Sequence, residues 1–359
     1  MNITIVGGGN IGTQIAVHCA EKGNSVTMFT SIPDIFEKNV KIIDDIGNIT
    51  HAGKLKEITN DPAKAFSCAD IVLVSTPAAF MDKIGQLIYL YASKKTIIGI
   101  FPGSGGCEYA FMKCINRGNI FFGLERVPAM ARLVEKGKVV RCTGYRKELH
   151  ISSIPSDAVE YCCSIVSSIY DIPCKTIYGY LNITLTPSNP ILHTTRLKTV
   201  FSDYYSGRVY YRLPLFYEDW DDASSTLLIQ CDQELQKICK AYPELNLINV
   251  KSLCEHYESY TVQDMTKKIS SISSFQGAKL PVLSVSNGYI PDLQSRCFTS
   301  DFNYGLSIID QIADFAKVDD PMIKSVLSWY RKIAILKKEF NFSDYGIDNV
   351  SMFKEFYMR

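Results

Sequence analysis

The sequence has no long apolar run and almost no net charge. Its 38 lysines and arginines balance 37 aspartates and glutamates, which leaves a formal net charge of +1 over 359 residues. This balance gives no basis for electrostatic binding to nucleic acid or to an anionic membrane. The chain opens on the strand-like segment NITIV without a basic region before it. We therefore expect no signal peptide, no membrane span and a cytoplasmic protein.

The twelve cysteines are scattered, and no two of them have CxxC spacing. Such pairs are typical of zinc sites, whereas a disulfide framework is typical of much shorter secreted chains. The sequence therefore indicates reduced thiols and no bound metal. A hydrophobic content of 47% and a charged content of 21% are those of an ordinary globular protein, long enough for two domains.

The two halves of the chain differ in pattern. Up to residue 178, short apolar runs alternate with helical stretches, which predicts an α/β domain with a parallel, Rossmann-like sheet. The predicted strands are ITIV, SVTMF, IVLVST, TIIGIF and IFFGLE, with VVRCTG and CKTIYG as candidate edge strands. From residue 179 to 359 helical patterns dominate and predict an all-α domain, with helices over residues 189–205, 223–241, 262–271, 303–317 and 322–338.

A glycine-rich turn follows the first predicted strand. In ITIVGGGNIGTQIA, Gly7, Gly9 and Gly12 have GxGxxG spacing between a strand and a helix. This arrangement is typical of dinucleotide binding, because the first glycine permits the turn, the second admits the pyrophosphate and the third lets helix and strand pack. Asn10 and Ile11 complete the predicted cofactor loop at the helix N-terminus.

The end of the second predicted strand usually distinguishes NAD from NADP. An acidic residue there binds the ribose 2′-hydroxyl of NAD. This chain has the neutral Thr30 and Ser31 at that point, and Asp34 comes later, after a proline. The two hydroxyls and the downstream Lys38 suit a 2′-phosphate, so the sequence favours NADP over NAD.

Two more loops follow predicted strands. Ligands of open α/β sheets bind at the carboxyl ends of strands, so Ser75, Thr76 and Pro77 in STPAAF are predicted to contact the cofactor, although a plain connecting loop explains them equally well. The glycines of FPGSGG, residues 101–106, suggest a close approach of the backbone to a ligand.

The segment LTPSNPILHTTRL contains one of only five histidines. Asn189 suits an N-cap and Pro190 suits the first helical position, which puts His193 in the first turn, near the positive end of the helix dipole. From these residues alone, His193 is either a functional histidine or a half-buried packing residue. In SRCFTSDFNYGL, similarly, Arg296 and Asp301 are either functional or a surface residue and a helix cap.

Several pieces of the chain, in this order, resemble the NAD(P)-dependent octopine/nopaline (opine) dehydrogenases. The NPxxH and R-x4-D-x2-YG pieces are the most specific, because few other Rossmann enzymes have both. The similar pieces are GGGNIG, RVPAMARLVEKGKVVRCTG, NPILHTTR, PLFYED followed by CDQELQ, and SRCFTSDFNYGL, which together span about residues 3 to 310.

The resemblance implies roles for three residues. His193 would be the catalytic acid/base, Asp301 its partner, and Arg296 the side chain that binds a substrate carboxylate. A carboxylate at Asp301 would also offset the helix dipole at His193. The chain departs from the family pattern at Thr194, where a proline is common, and likewise at Cys297 and Ser300.

The resemblance further implies reductive condensation of an amino acid with a 2-oxo acid, using NADP or NAD, with the active site in a cleft between the domains. Two alternatives stay open: a 2-hydroxy-acid or polyol-phosphate dehydrogenase of the same build, and a non-catalytic NADP-binding sensor. The expected partners are these small molecules, with no nucleic acid and no membrane. The sequence does not fix the oligomeric state, and a homodimer is compatible with it.

Overall fold

The structure, a computed structural model, describes residues 1–334 and 339–359. Contacts between Cα atoms divide the chain into two units. The first unit comprises Met1–Thr184 and Glu355–Arg359, and the second comprises Leu185–Lys354. Within the part that the structure describes, no helix is both long and apolar enough to cross a membrane.

Strands and short helices alternate along the first unit. The strands are β1 (Asn2–Val6), β2 (Ser25–Phe29), β3 (Asn39–Ile43), β4 (Ile49–Lys54), β5 (Glu57–Thr59), β6 (Ile71–Val74), β7 (Ile97–Ile100), β8 (Phe121–Leu124), β9 (Met130–Glu135), β10 (Val139–Thr143), β11 (Leu149–Ile154) and β12 (Cys174–Thr176). The helices are α1 (Asn10–Glu21), α2 (Pro62–Phe66), α3 (Met81–Tyr91), α4 (Met112–Arg117), α5 (Val159–Tyr170) and α6 (Leu181–Thr184).

The main sheet of the first unit has eight strands in the order β12-β11-β8-β7-β6-β1-β2-β5. Its pairings are parallel except that of β8 with β11. Val6, the last residue of β1, is in register with Phe29 on one neighbour and Val74 on the other. The loops after β1, β2 and β6 therefore begin side by side at one edge of the sheet.

Strands that are buried at every position were predicted. β11, which is buried at all but one position, was missed, and so were the exposed strands. β6, β7 and β8 are buried throughout, as expected for a covered parallel sheet, and their apolar runs predicted them. A second sheet, of order β4-β3-β10-β9, was not predicted, because its strands β4 and β9 are largely exposed and carry polar residues. VVRCTG forms β10 inside this second sheet, not an edge strand, whereas CKTIYG contributes β12 at the edge of the main sheet.

The second unit is helical apart from one hairpin. Its helices are α7 (Ser188–Val200), α8 (Asp222–Lys240), α9 (Leu253–His256), α10 (Val262–Ser271), α11 (Arg296–Thr299), α12 (Ser307–Ala316), α13 (Pro321–Ile333) and α14 (Val350–Tyr357), the last of which ends in residues of the first unit. A π-helical segment, Asp301–Leu306, precedes α12, and the hairpin consists of β13 (Val282–Val285) and β14 (Gly288–Pro291). The fold class is therefore as predicted, a Rossmann-like parallel sheet followed by a helical domain.

The predicted start of α7 is wrong by one residue, and its predicted N-cap by two. The helix begins at Ser188 after Pro187, and the exposed Asn189 is not its N-cap. Pro190 is tolerated at the third position because the amides of the first turn have no partner within the helix anyway. His193 consequently lies in the second turn, where the helix dipole acts on it less strongly.

Two helices are also shorter than predicted. The helix predicted to reach residue 205 ends at Val200, and α12 begins at Ser307, not at residue 303, because the π-helical segment intervenes. The last predicted helix ends at Ile333, and its predicted continuation over residues 335–338 lies outside the described residues.

The units differ in extent from the domains predicted over residues 1–178 and 179–359. Residues 179–184 belong to the first unit, where the Thr184 hydroxyl donates a hydrogen bond to Glu108. The last five residues also belong there, because the Tyr357 hydroxyl bonds to the same carboxylate. Sequence patterns are local, so they did not predict that the last residues of the chain pack in the first unit.

Candidate active site

The glycine-rich loop between β1 and α1 has the geometry of a phosphate-binding turn. Gly7 has a φ of +102°, which favours glycine, and a Cβ added at Gly12 would lie 1.7 Å from the carbonyl oxygen of Gly7. No atom lies within 4 Å of the position a Cβ would take at Gly9. The loop thus combines a tight turn, close packing of helix on strand and open space at the central glycine.

The first turn of α1 presents free amide groups beside this loop. Its first internal hydrogen bond is donated by Thr13 to the carbonyl of Gly9. The side chains of the next two predicted residues are used by the fold: the Asn10 Oδ1 accepts a hydrogen bond of 2.8 Å from the Leu133 amide, and Ile11 packs on the core. Asn10 and Ile11 can therefore offer backbone N–H groups to a phosphate, but not their side chains.

The loop after β2 brings an aromatic ring to the glycines. Thr30 is buried and Ser31 is exposed, directly after the strand. The Phe36 ring covers Gly8 so closely that a Cβ there would lie 2.1 Å from its Cζ. This contact was not predicted, because Phe36 follows a 3-10 turn, Pro33–Ile35, and has no pattern of its own.

The loop after β6 lies against the glycine-rich loop. The Ser75 amide donates to the Val6 carbonyl at 3.0 Å, and a Cβ at Gly7 would lie 3.0 Å from the Thr76 Cγ2. Ser75 and Thr76 are half-buried there, and Pro77 is exposed. The structure thus brings this predicted cofactor loop together with the first.

In the FPGSGG loop, a contact within the protein, not a ligand, accounts for the first glycine. A Cβ at Gly103 would lie 2.6 Å from both the Gly123 Cα and the Tyr180 hydroxyl. Gly103 is therefore required by packing within the protein. Gly105 and Gly106 have positive φ values of +78° and +71°, so a turn accounts for them.

In the second unit, His193 and Asp301 form a hydrogen-bonded pair. The His193 Nδ1 lies 2.8 Å from the Asp301 Oδ2, and both side chains are largely buried, at 11% and 14% exposure. A carboxylate only accepts, so Nδ1 carries the proton in this bond. Two residues 108 positions apart in the sequence thus meet where α7 packs on the π-helical segment.

Tyr217 binds the other ring nitrogen of His193 and was not predicted as a site residue. Its hydroxyl lies 2.9 Å from the His193 Nε2, to which it donates when Nδ1 holds the ring proton. The phenol ring stacks on Phe275 at a centroid distance of 4.2 Å. Burial raises the pKa of Tyr217, against the opposing charge of Arg296, so the hydroxyl stays protonated at neutral pH.

Arg296 lies at the start of α11, five residues before Asp301, and its side chain is exposed. Among residues 1–334 and 339–359, its guanidinium has no ion-pair or hydrogen-bond partner. Arginine binds a carboxylate with two parallel N–H groups. Arg296 therefore offers an unoccupied cationic group whose charge acts on Tyr217, the partner of His193.

Cys297 adds a thiol to the same surroundings. Its sulfur, a His193 nitrogen and an Asp301 oxygen lie within 4.8 Å of one another. Burial, reinforced by the negative charge of Asp301, raises the pKa of Cys297 to about 11, which keeps the thiol neutral. A thiol in that state is a poor nucleophile.

A buried arginine holds the segment that carries Tyr217. Arg196 is 0% exposed, and its guanidinium donates to backbone carbonyls on both sides of Tyr217. The acceptors are the carbonyls of Phe216 at 3.0 Å, Leu215 at 3.2 Å and Asp219 at 2.6 Å, and the Ser224 hydroxyl at 3.1 Å. Arg196 of NPILHTTR and the segment PLFYED, which lie apart in the sequence, are therefore one structural assembly.

A glycine loop of this form on a Rossmann-like sheet is typical of dehydrogenases that bind a dinucleotide cofactor. Comparison with known proteins narrows this class. The family model of the NAD/NADP octopine/nopaline dehydrogenase alpha-helical domain matches residues 176–334. The model of the NAD-dependent glycerol-3-phosphate dehydrogenase N-terminus matches residues 2–105.

Individual relatives and solved structures are similar to this chain over most of its length. Tauropine dehydrogenase of Arabella iricolor is 24% identical over 92% of this chain and 91% of its own. The structure of octopine dehydrogenase with NADH and L-arginine has the same fold, with a TM-score of 0.84 and 21% identity over 100% of this chain and 98% of that one. Yersinopine dehydrogenase with NADP+ bound has a TM-score of 0.65 and 12% identity over 92% and 90% of the two chains.

The chain is similar to the octopine/nopaline dehydrogenases, whose helical-domain model matches residues 176–334. It is an NAD(P)-dependent oxidoreductase acting on CH–NH groups, as the resemblance implied.

Proposed function

We propose that this protein condenses an amino acid with a 2-oxo acid and reduces the imine with NAD(P)H, giving an N-(carboxyalkyl) amino acid. The observation that carries the proposal is the pairing of His193 with Asp301 next to a short helix that exposes the unpartnered Arg296. One group can exchange a proton and the other can bind a carboxylate, and a 2-oxo acid and an α-amino acid each carry one.

The cofactor residues fit a dinucleotide. Open space at Gly9 and the free amides at the start of α1 suit a pyrophosphate. When bound, the nicotinamide supplies the hydride for the imine carbon. The neutral Thr30 and Ser31 support NADPH as the preferred form, because an acid at that point would repel a 2′-phosphate.

In the proposed mechanism, His193 moves protons at its Nε2. The Asp301 carboxylate holds Nδ1–H, which fixes the tautomer and leaves Nε2 able to accept a proton. The ammonium group of the amino acid must lose a proton before it attacks the carbonyl, and the carbinolamine must gain one before water leaves. Nε2 can accept the first proton and return the second, so His193 ends the condensation unchanged.

Arg296 and Tyr217 have distinct roles in this proposal. Arg296 binds one substrate carboxylate through two N–H groups. The Tyr217 hydroxyl, at 2.9 Å from Nε2, holds the ring and keeps this nitrogen an acceptor until a substrate takes its place. Because the phenol stacks on Phe275, its ring is held in place, and Tyr217 is a positioning residue.

The proposed partners are thus an amino acid, a 2-oxo acid and the cofactor. The net charge of +1 supports no role for nucleic acid or an anionic membrane. A homodimer and a cytoplasmic location stay proposals, to be tested by light scattering and by fractionation of the native cell.

The test is a substrate matrix. An array of amino acids is combined with pyruvate and other 2-oxo acids, and NAD(P)H oxidation is followed. We expect an oxo acid alone to consume little cofactor and the correct amino acid to start the reaction. Mass spectrometry should then find one product equal in mass to both substrates, less water, plus two hydrogens.

Fast cofactor oxidation with an oxo acid and no amine, yielding a hydroxy acid, would overturn the proposal in favour of a hydroxy-acid dehydrogenase. Tight binding of NADPH with no turnover in any combination would instead indicate a sensor protein.

A further inference from the structure

The first unit contains a cluster of two histidines and a glutamate outside the cofactor loop. His18 and Glu21 lie in the last turns of α1, and His51 lies on β4, which packs against that helix. One nitrogen of each ring and one oxygen of the carboxylate lie within 4.8 Å of one another. The His51 Nδ1 and the Glu21 Oε2 are 2.7 Å apart.

We propose that His18, Glu21 and His51 bind a zinc ion. Zinc takes imidazole nitrogen and carboxylate oxygen at about 2.0–2.1 Å in tetrahedral geometry, which places neighbouring ligand atoms about 3.3 Å apart. The separations in the cluster, 2.7 Å for one pair and at most 4.8 Å for the others, bracket that value. Small side-chain rotations therefore suffice to coordinate the ion.

The surrounding charges favour a cation. Glu21 is the last residue of α1, where the helix dipole is negative. The neighbouring charged groups, Lys22 and Asp171, pair with each other, so with neutral imidazoles Glu21 leaves the cluster with a net negative charge. No lysine or arginine pairs with Glu21 among the described residues.

Two tyrosines complete the polar surroundings. The Tyr145 hydroxyl lies 3.0 Å from the His18 Nε2, and the Tyr170 ring lies 4.8 Å from that of His18 between centroids. The Tyr170 hydroxyl is buried with no hydrogen-bond partner in the described part of the chain. A zinc-bound water at the fourth position would give these hydroxyls a polar neighbour.

The geometry points to a structural ion. Glu21 and His51 are about one-third exposed, at 35% and 33%, so an ion can enter from solvent. The cluster lies near one end of α1 and the glycine-rich loop at the other, and a helix of 12 residues is about 18 Å long. An ion there would fasten α1 to β4 without touching the cofactor loop.

The experiment adds zinc to the metal-free full-length protein in a Cys297→Ser background, which removes the soft ligand of the group at His193. We expect one zinc per chain by equilibrium dialysis with elemental analysis. The thermal midpoint should rise by about 5 °C at zinc concentrations far above Kd, because the ion binds the folded state. Cobalt should give the visible absorption of a four-coordinate nitrogen and oxygen site.

His51→Gln and Glu21→Gln are partly exposed changes that remove one ligand each. Each should weaken zinc binding at least about tenfold and lower the thermal shift to roughly half or less. The matched control is His150→Gln, which changes another histidine paired with carboxylates, Glu125 and Glu148, but with no second histidine. Absence of the shift in the parent, or an undiminished shift in His51→Gln, would overturn the proposal.

Discussion

Both nitrogens of the His193 ring are engaged, one by Asp301 at 2.8 Å and one by Tyr217 at 2.9 Å. Only one of these partners is charged. The carboxylate orients the ring and stabilises an imidazolium once a proton arrives, whereas the neutral phenol can be replaced at Nε2 by a substrate. At the scale of single residues, this asymmetry determines which nitrogen we expect to exchange protons.

His193→Gln is expected to retain cofactor binding and lose about 10²-fold or more in kcat, because glutamine forms hydrogen bonds but does not titrate. Steady-state kinetics with the substrate pair and titration of protein fluorescence with NADPH measure the two effects separately. His150→Gln serves as the control, since His150 also lies between carboxylates but in the first unit. A kcat close to that of the parent would remove His193 from the mechanism.

At the scale of elements, the site depends on the hydrogen bonds between α7 and residues 215–219, the segment that carries Tyr217. His193 and Arg196 are three residues apart on α7, so they lie on neighbouring positions of one helix. His193 faces Asp301, and Arg196 binds the backbone on both sides of Tyr217. One helix therefore fixes both partners of the proposed acid/base.

Arg196→Lys should lower the free energy of unfolding by about 2–3 kcal/mol, because an ammonium cannot satisfy all the carbonyls that the buried guanidinium binds. Urea denaturation measures this loss. If Arg196 also acts through Tyr217, kcat should fall as well, and Tyr217→Phe should cost less in the Arg196→Lys background than in the parent. Fully additive effects on kcat would show that Arg196 contributes to stability alone.

The end of β2 determines the preference for cofactor in our proposal. The parent should have a higher kcat/KM with NADPH than with NADH, and Ser31→Asp should lower the NADPH-to-NADH ratio at least about tenfold, because the new carboxylate repels a 2′-phosphate and accepts from a 2′-hydroxyl. Ser67→Asp, at an exposed serine elsewhere in the first unit, is the matched control. A clear NADH preference in the parent would mean that Asp34 or another acid reaches the ribose.

At the scale of the whole molecule, the chain returns to its first unit at the end. Residues Glu355–Arg359 belong there, and the Tyr357 hydroxyl bonds to the Glu108 carboxylate together with that of Thr184. Glu108 is completely buried, and burial raises its pKa from 4.5 to about 7. This carboxyl therefore titrates near neutral pH inside the contact that holds the C-terminus.

The sign of the pH dependence follows from that shift. A group whose pKa is raised by folding stabilises the protein fully below its unfolded pKa, and this contribution is lost as the pH rises through the folded pKa. The free energy of unfolding should therefore fall between about pH 4.5 and pH 7, by at most roughly 3 kcal/mol from this group.

Glu108→Gln keeps the two acceptor bonds but cannot ionise, so it should gain stability relative to the parent between pH 5 and pH 8. Urea unfolding at both pH values measures the difference. Glu355→Gln, an exposed change in the same C-terminal segment, should follow the parent. The same pH dependence in Glu108→Gln as in the parent would show that another group is responsible.

The sequence by itself determined the fold class and the positions of the motifs. Fully buried strands such as β6 and β7 have continuous apolar runs, and the GxGxxG turn has a local steric requirement. Both features can therefore be predicted from the sequence. The exposed strands β4 and β9 alternate too weakly to be predicted, and the start of α7 was misassigned because a proline fits any position of a first turn.

Contacts between distant residues were decided only by the tertiary structure. That His193 meets Asp301 was implied by resemblance, but Tyr217 on Nε2, Arg196 beneath it and Tyr357 on Glu108 have no signal in spacing. The same is true of His18 and His51, which the sequence separates by 33 residues and the packing of β4 on α1 brings together. Local patterns record which face of an element is buried, whereas a site depends on which buried faces meet, and that is settled by packing of the whole chain.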